Sequence, residues 1–180
     1  KTGIRCFNVE SASELALIEK VAGRLGKVAP ISIRINPDVD AKTHPYISTG
    51  LKANKFGVSA DAAIDLYRVA KDSSSLRPVG IDCHIGSQLT EIEPFIESVS
   101  HLRDLVLALG AQGIELMHID IGGGLGIRYD DEHIPSPKHL ISAVRDQLGD
   151  LAMELLIEPG RSIVGNAGAL LTQVMVIKVG

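Results

Sequence analysis

The sequence has no basic excess. Its 18 lysines and arginines are outnumbered by 22 aspartates and glutamates, which gives a net charge of −4 and a pI near 5.8. Without surplus cations to neutralise a phosphate backbone, nucleic acid is not the expected partner, and small molecules are. No apolar run reaches the roughly 18 residues of a membrane-spanning helix. The opening Lys1-Thr2-Gly3-Ile4-Arg5 carries no signal-peptide hydrophobic segment. Both absences predict a soluble, cytoplasmic protein with no membrane partner. Only two cysteines occur, Cys6 and Cys83, each in an apolar, strand-like run. They are expected as small core residues in a reducing compartment, not as a disulfide or metal pair. No Gly-Lys-Ser/Thr is present, which excludes a P-loop. The missing initiator Met, and a pattern that stops short at Gly180, lead to the expectation of a piece of a longer protein.

What is present is an ordinary globular composition, 45% apolar and 22% charged over 180 residues. That length allows one full core but falls short of the ~250 residues of a complete (β/α)8 barrel. Strand-like Ile4 to Val9 precedes a capping box, Ser11 to Glu14, and a helix with Leu15, Ile18, Ala22 and Leu25 on one face, closed by Gly26. Pro30 to Asn36 alternates as a strand, and a loop of about twenty residues, Pro37 to Val58, follows; loops of that length in compact domains are usually functional or disordered. Ser59 caps a helix bearing Ala63, Leu66, Tyr67 and Ala70, and Val79 to Ile85 is the third strand. Thr90 to Glu93 repeats the capping-box pattern before a long helix through Val99, Leu102, Val106 and Leu109. Leu116 to Ile121 is the fourth strand, Ser136-Pro137 opens a helix through Leu140, Val144 and Leu148, and Leu155 to Glu158 is the fifth strand. Repeated strand-helix units predict an α/β fold with a parallel sheet. The apolar run 169–180 breaks this pattern and is expected to start a second, β-rich domain, leaving 1–168 as the first.

The strands have one polar face. Asn8 and Glu10 alternate with Phe7 and Val9; Ser32, Arg34 and Asn36 with Ile31, Ile33 and Ile35; Asp82 and His84 with Ile81, Cys83 and Ile85; His118 and Asp120 with Ile119 and Ile121. Strands of a doubly wound sheet are buried on both faces and should be apolar almost throughout. One apolar face under helices, with polar groups gathering toward the carboxyl ends, is what the mouth of a (β/α) barrel requires, so a partial TIM-type barrel is predicted.

Directly after the fourth strand stands Gly122-Gly123-Gly124-Leu125-Gly126, a loop able to turn several N–H groups toward an anion. A Rossmann site is disfavoured, because Ile127 stands where the third glycine belongs and Pro135 and Pro137 delay the next helix. A metal site from His84, His118, Asp120 and Glu158 is chemically reasonable but has no tight ligand spacing. A phosphorylated cofactor is the third option. The glycine loop and Pro159-Gly160 would hold a phosphate, a carboxylate would pair with a ring nitrogen and His84 would stack on a flat ring, as pyridoxal phosphate needs.

Seven motifs in order then resemble one family. These are Phe7-Asn8-Val9-Glu10-Ser11, Arg34-Ile35-Asn36-Pro37-Asp38, His44 to Gly50, Lys55-Phe56-Gly57, His84-Ile85-Gly86-Ser87-Gln88, Gly122 to Gly126 and Glu158-Pro159-Gly160-Arg161. Together they look like the middle of the diaminopimelate decarboxylases, in the alanine racemase-like barrel group of pyridoxal-phosphate enzymes. The resemblance implies strands four to eight of the barrel and decarboxylation of meso-2,6-diaminopimelate to L-lysine and CO2 by the whole protein. It also implies a homodimer with shared sites. His84 would lie against the cofactor ring, Glu158 would keep the pyridine nitrogen protonated, and Ser87, Gly122, Gly123 and Gly124 would surround the phosphate. Pro159, Gly160 and Arg161 would complete the cofactor wall, with Arg161 also reaching a substrate carboxylate and Arg34 sitting near the ring. No resident metal is implied. The loop Asp38 to Gly57 would lie by the mouth or the dimer contact.

Two parts of the family pattern are missing. The cofactor-linking lysine of the first barrel strand has no counterpart, since Lys52-Ala53-Asn54 lies in the long loop with no strand before it. The general-acid cysteine, tyrosine and arginine of the carboxyl-terminal β-domain are absent too, and strand-borne Cys6 and Cys83 do not replace them. The 180 residues alone are therefore expected to be inactive. The alternatives are an ornithine/arginine-type or carboxynorspermidine decarboxylase, a metal-dependent barrel hydrolase or aldolase, and a non-catalytic pyridoxal-phosphate-binding homologue.

Overall fold

A computed structural model describes residues 3–39 and 56–179. In chain order the elements are β1 (Phe7–Val9), α1 (Ala12–Arg24), β2 (Ala29–Ile35), α2 (Ala60–Asp72), β3 (Leu76–Cys83), α3 (Glu93–Gly110), β4 (His118–Asp120), α4 (Pro137–Leu148), β5 (Glu154–Leu156) and α5 (Arg161–Val164). Three helices start where serine is placed to start them. The hydroxyls of Ser11, Ser59 and Ser136 accept from the amides of Glu14, Ala62 and His139, satisfying donors that a first helical turn leaves without partners. The Glu14 carboxylate returns to the Glu10 amide at 2.8 Å, so the box closes one residue earlier than in its usual form. The expected box at Thr90 is not used. Ile92 occupies the cap of α3 with no side-chain hydrogen bond, and Pro94 in the first turn supplies the preset φ instead.

All five strands are parallel in the order β1-β2-β3-β4-β5. A doubly wound sheet reverses direction midway; an order that never reverses is an arc of a barrel. The apolar core lies between this arc and its helices. Val9, Ile31, Ile33, Ile81 and Ile119 are fully buried against Leu15, Tyr67, Val99, Leu102 and Val144. Between Ile31 and Ser32 the register slips against β3. There the Tyr67 hydroxyl donates to the Gly80 carbonyl at 2.6 Å and accepts from the Ile33 amide. Burial raises the Tyr67 pKa, so the phenol stays a donor.

Some edges depart from expectation. Phe7 and Leu25, both assigned to apolar faces, are exposed at the rim of the arc. Cys6 lies just outside β1 and is only half-buried, whereas Cys83 is buried with its thiol pushed up to about 12 by that burial; both are free. Residues 168–179 form no helix or strand, and Leu170, Leu171, Met175 and Ile177 are exposed. Most of the long loop, with His44 to Gly50 and Lys52 to Asn54, lies outside the described residues.

Candidate functional site at the carboxyl ends of the strands

Register turns the polar face into rows. Asn8, Ser32, Gly80, His118 and Glu154 are successive partners across the sheet, and Arg34, Asp82 and Asp120 form the next row toward the carboxyl ends. In the lower row Gly80 leaves a gap that the His118 ring fills; a Cβ on Gly80 would come within 1.9 Å of its Nε2. In the upper row two carboxylates are direct neighbours. Asp120 accepts the Gly122 amide at 2.9 Å, while Asp82 has the Ser32 hydroxyl at 3.2 Å. Burial pushes Asp82 up to about 7, with Asp120 adding to the rise and the Ser32 hydrogen bond and Arg34 opposing it.

Above these rows a polar cavity of about 290 Å³ is lined by Asn8, Glu10, Arg34, Asp82, His84 and Glu158. Arg34 is fixed there. Its guanidinium meets the Glu10 carboxylate at 2.7 Å and lies over the Phe56 ring, and the second Glu10 oxygen accepts the Gly57 amide. Burial, then the Arg34 charge, lowers the His84 pKa. The imidazole is therefore neutral at pH 7, and its Nδ1 is set to accept from the Gly123 amide at 3.2 Å. Glu158 is raised by burial and by Asp120, against the pull of Arg34.

The glycine loop is glycine because of its neighbours. A Cβ on Gly122 would meet the Cys83 carbonyl at 2.5 Å; on Gly123, the Glu158 carbonyl at 2.1 Å; on Gly124, the Gly86 carbonyl at 2.1 Å. Gly122 and Gly124 also hold positive φ. The absent side chains thus let three neighbouring backbone segments close on one loop. An open fan of N–H groups was the sequence expectation, and the structure corrects it: the Gly122 and Gly123 amides already have acceptors in Asp120 and His84.

Arg34, His84 and Glu158 share the polar cavity. Gly122, Gly123, Gly124 and Pro159 line a second, apolar cavity of about 220 Å³ behind the loop, with Phe95, Leu140 and Ile163. The linings of the two cavities are linked by the Gly123–His84 bond and by the Glu158 amide donating to the Gly122 carbonyl. Ser87, Gly160 and Arg161 line neither. Arg161 instead donates to the Tyr129 hydroxyl at 2.9 Å. The proposed metal quartet is not assembled. His118 points down the barrel toward Cys6, and no group of three or more His, Cys, Asp or Glu among the described residues is placed to hold a metal. Sequence reasoning left Asn8, Glu10 and Asp82 out of the site although their alternation had put them on the right face. Nor did any sequence signal pair Arg161 with Tyr129.

Fold and site together define a cofactor-binding arc of an α/β barrel. The family model described as the pyridoxal binding domain of pyridoxal-dependent decarboxylases matches residues 1–165, and the chain belongs to that family. The chain is 55% identical to a diaminopimelate decarboxylase of Neisseria meningitidis over 178 residues, 99% of this chain and 43% of the relative. The crystal structure of diaminopimelate decarboxylase from Helicobacter pylori complexed with L-lysine is 47% identical, with a TM-score of 0.85 over 89% of this chain and 41% of that one. Lysine decarboxylase from Selenomonas ruminantium matches at 28% identity and a TM-score of 0.70, covering 87% and 39%. The chain therefore spans less than half the length of these relatives. Among the described residues no helix is long and apolar enough to cross a membrane.

The residues present fit pyridoxal phosphate. The polar cavity is near the lower end of the roughly 300–1,000 Å³ range of small-molecule sites. Its donor set offers a carboxylate for a pyridine nitrogen, a neutral imidazole face for the ring and a fixed guanidinium. The cavity lies at the carboxyl ends of the strands, the end where barrels of this type carry their sites, and the glycine loop and the short helix α5 follow the last two strands, β4 and β5.

Proposed function

We propose that the whole protein to which this chain belongs decarboxylates meso-2,6-diaminopimelate to L-lysine and CO2, with pyridoxal phosphate as cofactor. The observation that carries this reading is that His84 and Glu158, which line the polar cavity, are hydrogen-bonded to Gly123 and Gly122 of the glycine loop. The choice of substrate is supported by identities of 47–55% to diaminopimelate decarboxylases against 28% to a lysine decarboxylase.

When bound, pyridoxal phosphate supplies an electron sink that allows a substrate carboxylate to leave as CO2. The chain's own residues prepare for this. Glu158 would hold the pyridine nitrogen in its protonated state. His84, kept neutral and fixed by Gly123, would lie against the ring, with Arg34 held nearby by Glu10. Gly122, Gly123, Gly124 and Pro159, with Ser87 and Gly160 from the adjoining loops, would surround the phosphate. Arg161, resting on Tyr129, provides a guanidinium at the rim for a substrate carboxylate, a bidentate task suited to arginine. The lysine that links the cofactor and the carboxyl-terminal acid group come from outside the 180 residues. Residues 169–180 begin the domain that carries the latter, after a barrel domain of 1–168, and the whole is a cytoplasmic homodimer with shared sites.

The test is CO2 release by the full-length enzyme supplied in turn with meso-diaminopimelate, ornithine and arginine. Release from diaminopimelate alone is expected. Release from ornithine or arginine alone would reassign the substrate, and no release from any would leave the non-catalytic homologue.

A further inference from the structure

Gln88 adopts φ of +62°, the left-handed region that a side chain normally avoids. A tight turn alone would be better served by glycine, so the side chain must contribute something that offsets the strain. Its amide does. Nε2 donates to the Ile127 carbonyl at 2.5 Å, and Oε1 accepts the Ile127 amide at 3.2 Å, so one side chain satisfies both backbone groups of one residue. Beside this pair the Leu89 amide donates to the Gly124 carbonyl and the Gly126 amide to the Leu89 carbonyl, each at 2.9 Å. A Cβ on Gly126 would be tight, 3.0 Å from the Leu89 carbonyl oxygen and 3.2 Å from the Gln88 amide group. The Gln88 side chain thus takes the place of one more rung in a short parallel ladder. That ladder ties the loop bearing His84 and Ser87 to the loop bearing Gly122, Gly123 and Gly124.

We infer that Gln88 is a positioning residue for the phosphate end of the cofactor site: it clamps the glycine loop at Ile127 and so sets the spacing between that loop and Ser87. Two hydrogen bonds to one backbone unit fix both the distance and the twist of the loop, which a single bond would not. Gln88 lines neither cavity, so its effect reaches the ligand only through the loop it holds. The inference rests on the cofactor reading above only for the identity of the ligand. The clamp itself belongs to the unliganded chain.

The test uses full-length protein stripped of cofactor, as wild type, Gln88→Met and Gln88→Glu. Methionine keeps the length and removes both hydrogen bonds; glutamate keeps the acceptor and sets a second acceptor against the Ile127 carbonyl. Equilibrium titrations with pyridoxal phosphate and with pyridoxal are run side by side, together with hydrogen exchange at the Ile127 amide. For both variants the expected result is about tenfold weaker binding of the phosphate ester, pyridoxal affinity within about twofold of wild type, and faster exchange at Ile127. Unchanged affinity for the phosphate ester, or equal weakening of both ligands, would overturn the assignment. So would failure of both variants to fold, which would make Gln88 a folding residue. Should wild type bind neither ligand, the cofactor reading fails instead, and the Ile127 exchange rates still decide whether the clamp exists.

Discussion

His84 and His118 stand on the inner face of the same sheet, each beside glycine, and their surroundings give them different uses. His118 is buried in the space left by Gly80, with the Cys6 sulfur 3.9 Å from its Nε2, and lines neither of the two cavities described above. His84 stands four residues along β3 from Gly80, past the last ladder residue, where it faces a cavity and accepts the Gly123 amide. Burial lowers both pKa values. Perturbed ionisation therefore does not separate a cavity-lining histidine from a packing histidine. The neighbouring glycine does: one gives up its side chain to make room for a ring, the other to bring a backbone amide to a ring.

The sharpest way to break this contrast is to add a methyl group to each glycine. A Cβ at Gly123 would lie 2.1 Å from the Glu158 carbonyl, backbone against backbone. Gly123→Ala in the full-length enzyme is expected to displace the loop and cut decarboxylation by about 100-fold or more. The three atoms nearest a Cβ at Gly80 all belong to the His118 ring, and Gly80→Ala should cost about 1–3 kcal/mol of stability by overpacking while cofactor affinity holds. Equal loss of activity in the two variants, measured as kcat/KM, would erase the distinction.

Asp82 stands on β3 two residues after Gly80 and two before His84, paired with Asp120 across the sheet, and tests the electrostatics of this face. Its folded pKa of about 7 exceeds the unfolded value of 3.8, so the folded chain binds the extra proton between these values and stability falls as pH rises through that window. Asp82→Asn removes the titration. The variant should gain on the order of 1–3 kcal/mol over wild type at pH 8, and the gain should vanish toward pH 4, as read by denaturant unfolding at each pH. A gain independent of pH would mean that the carboxyl is not the source.

Smaller is the coupling of His118 to Gly80. His118→Ala leaves a hole that Gly80→Ala partly fills, so the double variant should be more stable than the sum of the single losses by about 0.5–2 kcal/mol. Strict additivity would place the ring elsewhere. The smallest effect is the titration of the rings themselves. Both folded pKa values are depressed, so stability should decline as pH falls below the unfolded value of 6.5 toward them. Asparagine at either position should flatten that decline.

Much of this arrangement can be read in the sequence, because alternation and capping are local. Polar alternation placed Asn8, Arg34, Asp82, His84 and His118 on the inner face, and the capping serines fixed three helix starts. The Thr90 pattern misled because Pro94 favours a start beside itself. The four-residue α5 is too short to leave any periodicity. What separates His84 from His118 is not local. It depends on which glycine from another strand or loop faces each ring, and spacing along one strand does not carry that information. Gln88 is hidden for the same reason, since its partner Ile127 is 39 residues away.

The central claim, that His84 belongs to the cofactor site and His118 to the packing beneath it, is tested most directly by the pyridoxal phosphate dissociation constant. It would be measured for full-length wild type, His84→Ala and His118→Ala under one set of conditions. The account predicts at least about tenfold weaker binding for His84→Ala and a value within about twofold of wild type for His118→Ala. Equal weakening in both, or an effect confined to His118→Ala, would contradict it.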